Sequence, residues 1–426
     1  MKTFVFALAM IVVAGCHKDN NFCPGANPDN SCAEIDAKVA NGCSSNATCT
    51  APKAVCDLAG SKTCVQCVAP DDTSACTATS PVCGGDHACR GCTAHTDCPL
   101  SDVCLPDGSC ADTNVVAYVA PTGTGTACSK SSPCGILDNA LQTSKPFVKI
   151  AAGLVKDTKT TTIDGKVVSI FADLGAKLDR DGDGAIIEVR SANANVSIYD
   201  LEITGASGSA GADGVLLTPN GGVPKLSLTR VKVDTNQGNG ITSSGGTLTV
   251  TQSTISGNTG GGIVISGAAT VFVIAENFIY RNGNTSSAAA GGISAVPSGA
   301  SKLEFNTIVD NQANSGAASA GGVFCDQGAF VAGGNLIFRN TGGSTGSAQT
   351  FGNCTYGNSF VNTGTSSVDN SPAFARPNTQ PFDYHLTSTS PVTIIDAAGT
   401  CTGPDFDGDA RPIGAGCDLG ADEYKP

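Results

Sequence analysis

The sequence predicts an all-β protein in which a parallel β-helix, a solenoid of short strands, follows a small, irregular, disulfide-rich domain. Three observations predict it. The second part of the chain repeats at intervals of 22 to 30 residues, with Gly, Asn and β-branched residues in recurring places. The first part holds most of the cysteines, set among Pro, Asp, Ser, Thr and Ala. The composition, 53 Gly in 426 residues with no Trp and 14% charged side chains, suits many short strands punctuated by turns. A 40% hydrophobic content argues against disorder, and the length exceeds one ordinary compact domain.

Taken in chain order, Lys2 precedes an apolar run from Phe4 to Ala14, then Gly15 and Cys16. Eleven apolar residues are too few to span a bilayer but fit the core of a secretory signal over residues 1–15. The run Val13-Ala14-Gly15-Cys16 resembles a bacterial lipobox, which implies that Cys16 is lipidated and becomes the new N-terminus. Such proteins carry several acyl chains, enough for stable attachment. His17, not Asp, follows the Cys, which implies outer-membrane retention. The expected location is therefore the outer membrane, lipid-anchored and facing the cell surface, with the anchor as the only membrane contact. Cysteine arithmetic agrees: of 21 Cys, setting aside Cys16 leaves fourteen between Cys23 and Cys110 and six downstream, two even sets suited to disulfides. The net charge of −13 and the lack of a basic patch argue against a nucleic-acid partner.

After a polar tether (16–22), residues 23–111 form the Cys-rich segment. Val55-Cys56…Cys64-Val65-Gln66-Cys67 is echoed by Val82-Cys83…Cys89-Arg90-Gly91-Cys92, and a shorter unit runs through Cys92, Cys98, Cys104 and Cys110. With few large apolar side chains, such a segment must be stapled. The pairs Cys64/Cys67 and Cys89/Cys92 approach zinc-ribbon spacing, but Cys76 and Cys83 would be left over and the compartment is oxidising, so disulfides are expected, with connectivity open. The spacing resembles the Cys-rich stalks of surface proteins from myxobacteria and their relatives, which implies a spacer.

Residues 112–426 are read as the β-helix, with an N-terminal cap over 112–145. Val115 to Ala120 is strand-like, and the disulfide candidates Cys128 and Cys134 bracket a short loop. In Gly135–Leu141, Leu137 and Leu141 share one helical face, suited to covering the open end of a solenoid. Strand-like runs follow at Phe147–Ala152, Thr160–Ile163 and Val167–Ala172. Gly followed by a β-branched residue recurs at Gly214, Gly240, Gly262, Gly292 and Gly322, at intervals of 26, 22, 30 and 30. Asn277-Phe-Ile-Tyr-Arg-Asn282, Asn306-Thr-Ile-Val-Asp-Asn311 and Asn335-Leu-Ile-Phe-Arg-Asn340 follow at offsets of 29, with Ser253–Asn258 and Val231–Asn236 as earlier relatives. One such period suits one coil of two or three strands, and stacking coils about 4.8 Å apart brings like onto like. Val233, Ile255, Ile279, Ile308 and Ile337 should then form an inward aliphatic column. Asn236, Asn258, Asn282, Asn311 and Asn340 should form a ladder at a turn, in left-handed geometry, and each repeat Gly should supply a φ that other residues avoid.

These repeats resemble the right-handed parallel β-helix family, best known from pectate-lyase-like enzymes, over roughly 113–426. The tail, 370–426, carries Asp383-Tyr-His-Leu386, Ser390-Pro391, Ile395-Asp-Ala-Ala398, Asp405-Phe-Asp-Gly-Asp409, Arg411-Pro412 and Asp418-Leu-Gly-Ala421, and looks like the terminal signature of surface-anchored β-helix proteins. On that resemblance Cys325/Cys354 and Cys401/Cys417 are expected to pair, one holding neighbouring coils and one closing the tail.

Three constellations bear on chemistry. Asp179-Arg-Asp181-Gly-Asp183-Gly184 has the alternating acids of an oxygen-ligated Ca²⁺ loop, but it lacks the downstream Glu of an EF-hand; the expected reading, here and at Asp405–Asp409, is an Asp/Gly turn bonded to its own backbone, with no cofactor. Ca²⁺ is the one cofactor this pattern admits. Arg281, Asp310 and Arg339 precede successive ladder Asn residues and should stack as an Arg–Asp–Arg row. The family's lyases use a basic residue beside acidic metal ligands, whereas a surface ion-pair row needs no chemistry. For a glycosidase the carboxylates Asp200, Glu202, Glu276, Glu304 and Asp310 are available, in no paired motif. The expected function is therefore a monomeric, non-catalytic surface protein for adhesion or for contact with a polysaccharide or surface-protein ligand. A lyase or hydrolase acting on an acidic polysaccharide is the alternative.

Overall fold

The computed structural model describes residues 42–68, 75–208, 211–267, 270–286, 288, 290–296, 298, 300–314, 319–325, 331–342, 348–362 and 371–426. The expected signal segment (1–15), the expected lipidation position Cys16, the tether, Cys23 and Cys32 lie outside the described residues. Two compact units are present: a Cys-rich unit extending to Cys98 and including Cys104–Cys110, and a second made of Pro99–Val103 with Ala111–Pro426.

In the Cys-rich unit the bonds are Cys43–Cys56 and Cys49–Cys64, Cys67–Cys83 and Cys76–Cys89, Cys92–Cys104 and Cys98–Cys110. The same first-to-third, second-to-fourth pattern occurs three times. Each C-x-x-C pair straddles two modules: Cys64 closes one and Cys67 opens the next. The sulfurs of zinc-ribbon spacing are thus spent on disulfides. Two-residue antiparallel ladders, Val55–Cys56 with Cys64–Val65 and Val82–Cys83 with Cys89–Arg90, supply the little regular structure.

The second unit is a tube of three parallel sheets, with nine, eight and ten strands among the described residues. We call them sheets A, B and C. Each coil runs C to A to B. The strands at 225–229 (C), 232–234 (A) and 239–243 (B), for example, pair with those at 247–251, 254–256 and 261–265 of the next coil. The inward positions superimpose as the repeats require. Val233 registers on Ile255, then Ile279, Ile308 and Ile337, all fully buried.

The Asn ladder runs through the corner between sheets A and B. Nδ2 of Asn236, Asn258, Asn282 and Asn311 donates to Oδ1 of the next Asn at 2.9–3.0 Å, and the same oxygen accepts the backbone N–H of the preceding Asn. Gln349 terminates the row by accepting from Asn340. Two expectations need correction. The left-handed residues are not the ladder Asn but those before them, Thr235, Arg281, Asp310 and Arg339, with φ between 54° and 58°, and Gly257. That twist turns the Asn inward and its predecessor outward. The repeat Gly residues are not at positive φ; they are needed for space. A Cβ on Gly292 would lie 2.6 Å from Gly322 O, 2.8 Å from Ile308 Cγ2 and 3.1 Å from Asn311 Nδ2. Gly240, Gly262 and Gly322 likewise each face a carbonyl, an Ile and an Asn of the next coil.

A second ladder at the corner between sheets C and A joins Asn277, Asn306 and Asn335, which open the repeats, with Ser253 and Ser359 at its ends. At the N-terminal end, the helix Leu137–Gln142 buries Leu137, Ala140 and Leu141 in the tube's core. Asp157 reaches across to accept the N–H groups of Leu137 and Asp138, at 2.8 and 3.3 Å. Cys128–Cys134 closes the loop beside it, Cys325–Cys354 joins successive coils and Cys401–Cys417 closes the tail.

Candidate functional site: the cleft between sheet A and the tail

The outer face of sheet A changes character along the tube. Its first outward column reads Lys177, Glu202, Lys232, Thr254, Phe278, Thr307, Leu336, Phe360, and the next reads Thr204, Asp234, Ser256, Tyr280, Val309, Phe338. The early coils are charged and the later ones apolar. The tail covers the apolar half: Phe374, Tyr384, Leu386, Ile394, Leu419 and Ala421 form a second core with Phe278, Val309, Leu336 and Phe338. The repeats carry a signal for this, since 278–280, 307–309 and 336–338 lack the polar alternation of Lys232-Val-Asp234. Only the nearly unbroken apolar run says that the outer face is covered.

Buried carboxylates organise the tail. Asp405 accepts the N–H groups of Asp407, Asp409 and Glu423 at 2.8–3.0 Å. Asp418 accepts those of Asp396 and Tyr424, and Glu423 those of Ile413 and Asp418. The Asp405–Asp409 stretch is thus an Asp-stabilised turn.

The Arg281, Asp310 and Arg339 row forms at the edge of this contact. Arg339 holds Asp310 with two bonds, 2.9 and 2.6 Å, while Arg281 stands 4.0 Å from the same carboxylate. The tail clasps the row. Tyr384 Oη donates to Asp310 at 2.7 Å, Arg281 donates to Tyr384 Oη and to Pro377 O at 3.2 Å, and its guanidinium lies 3.7 Å from the centre of the Phe382 ring. Burial, reinforced by Asp310, pushes the Tyr384 hydroxyl up, so it stays a donor.

The other sequence-derived acids are placed as follows. Asp179 and Asp181 face Lys156, at 3.8 and 2.9 Å, and the three carboxylates of Asp179, Asp181 and Asp183 do not converge into one cluster. Asp200 holds Arg230 with two bonds, Glu202 holds Lys177 and Lys232, and Glu304 is 3.5 Å from Lys302. Glu276 lies under the tail, where burial pushes its carboxyl up to about 7 against the pull of Arg411.

Where the tail ends and the polar half of sheet A begins, a cleft of about 560 Å³ opens. Lys232, Asp234 and Ser256 form its polar floor, and Tyr280, Arg281 and Phe382 form its wall. Tyr280 lies 4.8 Å from Tyr384 and 6.4 Å from Phe382, ring centre to ring centre. Aromatic residues are only 5% of the chain, but they are concentrated at this seam. Sequence reasoning missed the cleft because Tyr280 and Phe382 in its wall are 102 positions apart in the chain.

Residues 185–371 match the family described as "Right handed beta helix region", and the fold of the second unit is a right-handed parallel β-helix preceded by a disulfide-rich region. Neither the curated proteins nor the solved structures include a match to this chain.

Proposed function

We propose that this chain is an exported, lipid-anchored surface protein whose Cys-rich segment is a stalk and whose β-helix binds a glycan, without catalysis, in the cleft at the tail's edge. The observation that carries this reading is the cleft's construction. An aromatic wall, Tyr280 and Phe382, stands over a floor of Lys232, Asp234 and Ser256, which is how apolar sugar faces and hydroxyl rims are met together. Lys232 is balanced by Asp234 and Glu202 at 2.9 and 3.4 Å, so the positive charge that favours an acidic sugar comes from the cleft's surplus of Lys232 and Arg281 over Asp234 and not from an unpaired cation. The disulfide content supports export to an oxidising compartment, and the lipobox-like run ending at Cys16 supports the anchor. For the lyase alternative, the basic residues would be Arg281 and Arg339. Their engagement with Asp310, Tyr384 and Phe382 supports a holding role instead.

Pull-down of the purified protein on immobilised polygalacturonate, alginate and neutral glucans tests the proposal. Retention on an acidic polymer is expected, weakened about tenfold or more by Phe382→Ala and by Lys232→Ala, in line with loss of one good contact. No retention on any polymer would overturn it, and release of unsaturated products would replace it with the lyase reading. In cells, Cys16→Ala should move the protein from the membrane to the soluble fraction.

A further inference from the structure

Three side chains from separate stretches of the tail meet at one point. His385 lies on the strand Asp383–Leu386, Asp407 in the turn that Asp405 organises, and Asp422 just after the Asp418–Ala421 motif. One ligand-type atom from each lies within 4.8 Å of the others. Nε2 of His385 is 3.0 Å from Asp407 Oδ2, yet it is buried and makes no hydrogen bond. The ring is fixed on its other sides. Nδ1 sits 2.6 Å from Asp383 Oδ1, and Phe278 and Phe406 pack edge-on at 4.9 and 5.8 Å. Asp422 is 6% exposed and oriented by the N–H of Leu386 at 2.6 Å.

An imidazole nitrogen and two carboxylates crowded in this way are held by a shared positive charge, either a proton on the imidazole or a bound cation in its place. Donors bound about 2.0–2.2 Å from one ion fall about 3–4.4 Å from each other; here His385 and Asp407 are 3.0 Å apart and all three donors lie within 4.8 Å. A carboxylate on the far ring nitrogen is the arrangement that fixes tautomer and orientation in metal-bound His. One nitrogen among oxygens disfavours Ca²⁺ and Mg²⁺, which take oxygen ligands, and suits zinc and its neighbours. We infer that His385, Asp407 and Asp422 bind a divalent ion of the zinc class, with Asp383 holding the His. His385 also lines a cleft of about 170 Å³ with Arg376 and Phe406, which gives the ion a way in. The ion would tie the 383–386 strand, the 405–409 turn and the C-terminal segment together. Its ligands are distinct from the acidic stretch at Asp179–Asp183 and from the cleft floor proposed for the glycan, although the entry cleft shares Tyr280 and Phe382 with that cleft.

The test uses the full chain, stripped with chelator, loaded with zinc chloride and desalted, with metal counted by mass spectrometry and Tm followed by scanning fluorimetry. About one zinc more per chain is expected in the parent than in His385→Ala, with a zinc-dependent rise in Tm only in the parent. The cysteines are the same in both proteins, so thiol binding cancels. Asp407 is half-exposed in a turn, and Asp407→Asn should fold normally while weakening zinc by at least about tenfold; Asp383→Asn should weaken it about 10–100-fold. Equal zinc retention and equal Tm response in the parent and Asp407→Asn would overturn the site, whatever the fate of His385→Ala.

Discussion

In the coils, buried amides meet copies of themselves 22, 24 or 29 residues away, so one geometry is used repeatedly. In the tail, buried carboxylates meet backbone N–H groups of unlike segments, and no contact is made twice. Both arrangements answer the same requirement, that polar groups removed from water be paired. They differ in what a single change does. A ladder amide belongs to two neighbours at once, and its loss strands donors in another coil. A tail carboxylate serves only the loops it touches, so its loss should stay local.

The sharpest way to break that contrast is Asn311→Ala. It removes the oxygen that pairs both Nδ2 and the backbone N–H of Asn282. Two orphaned buried donors at roughly 1–3 kcal/mol each predict a global loss of about 4 kcal/mol, read as a cooperative shift in urea unfolding of the whole tube. Asp405→Ala should remove roughly 2–3 kcal/mol from charge-assisted bonds. Here the loss should appear as faster hydrogen exchange confined to 405–424, with the coils unchanged; a coil-wide effect would erase the distinction.

Gly292→Ala sharpens the account of the coils. If space is the reason for Gly, the added methyl should lower stability by about 1–3 kcal/mol through overpacking alone, and Ile308→Leu, which removes the Cγ2 branch the methyl meets, should cost less in that background than in the parent. The smallest effect expected is on pH. Burial raises Glu276 to about 7 and Asp422 to about 6, and partners outweigh burial to raise His385. Groups that bind protons more tightly when folded stabilise the fold as pH falls. Metal-free protein should therefore melt higher at pH 5.5 than at pH 8, by roughly 2 °C. Glu276→Gln should remove part of that slope.

The fold was legible because repetition writes the same contact many times. The Ile column and the ladder Asn can be aligned by counting residues. The role of the Gly was not legible, because positive φ and lack of room both select Gly, and only the distance from Gly292 to the next coil separates them. The Arg281–Asp310–Arg339 row could be assembled from spacing, but Tyr384 and Phe382 could not be added to it. They lie about a hundred residues beyond Arg281 in a segment without period. The metal-type cluster is hidden for the same reason: His385, Asp407 and Asp422 have no common interval.

The amide row that ends at Gln349 also bears on how such a tube can change length. Each layer receives a bond on one side and offers an identical one on the other, so a spliced-in or deleted layer of 29 residues would leave its neighbours' sockets matched. The end layers are special: at one, Asn236 accepts from Ala206 in place of an asparagine, and at the other a long glutamine, Gln349, stands in for the missing one. Growth or shortening in the middle therefore requires no new closure, whereas moving the end requires a new plug.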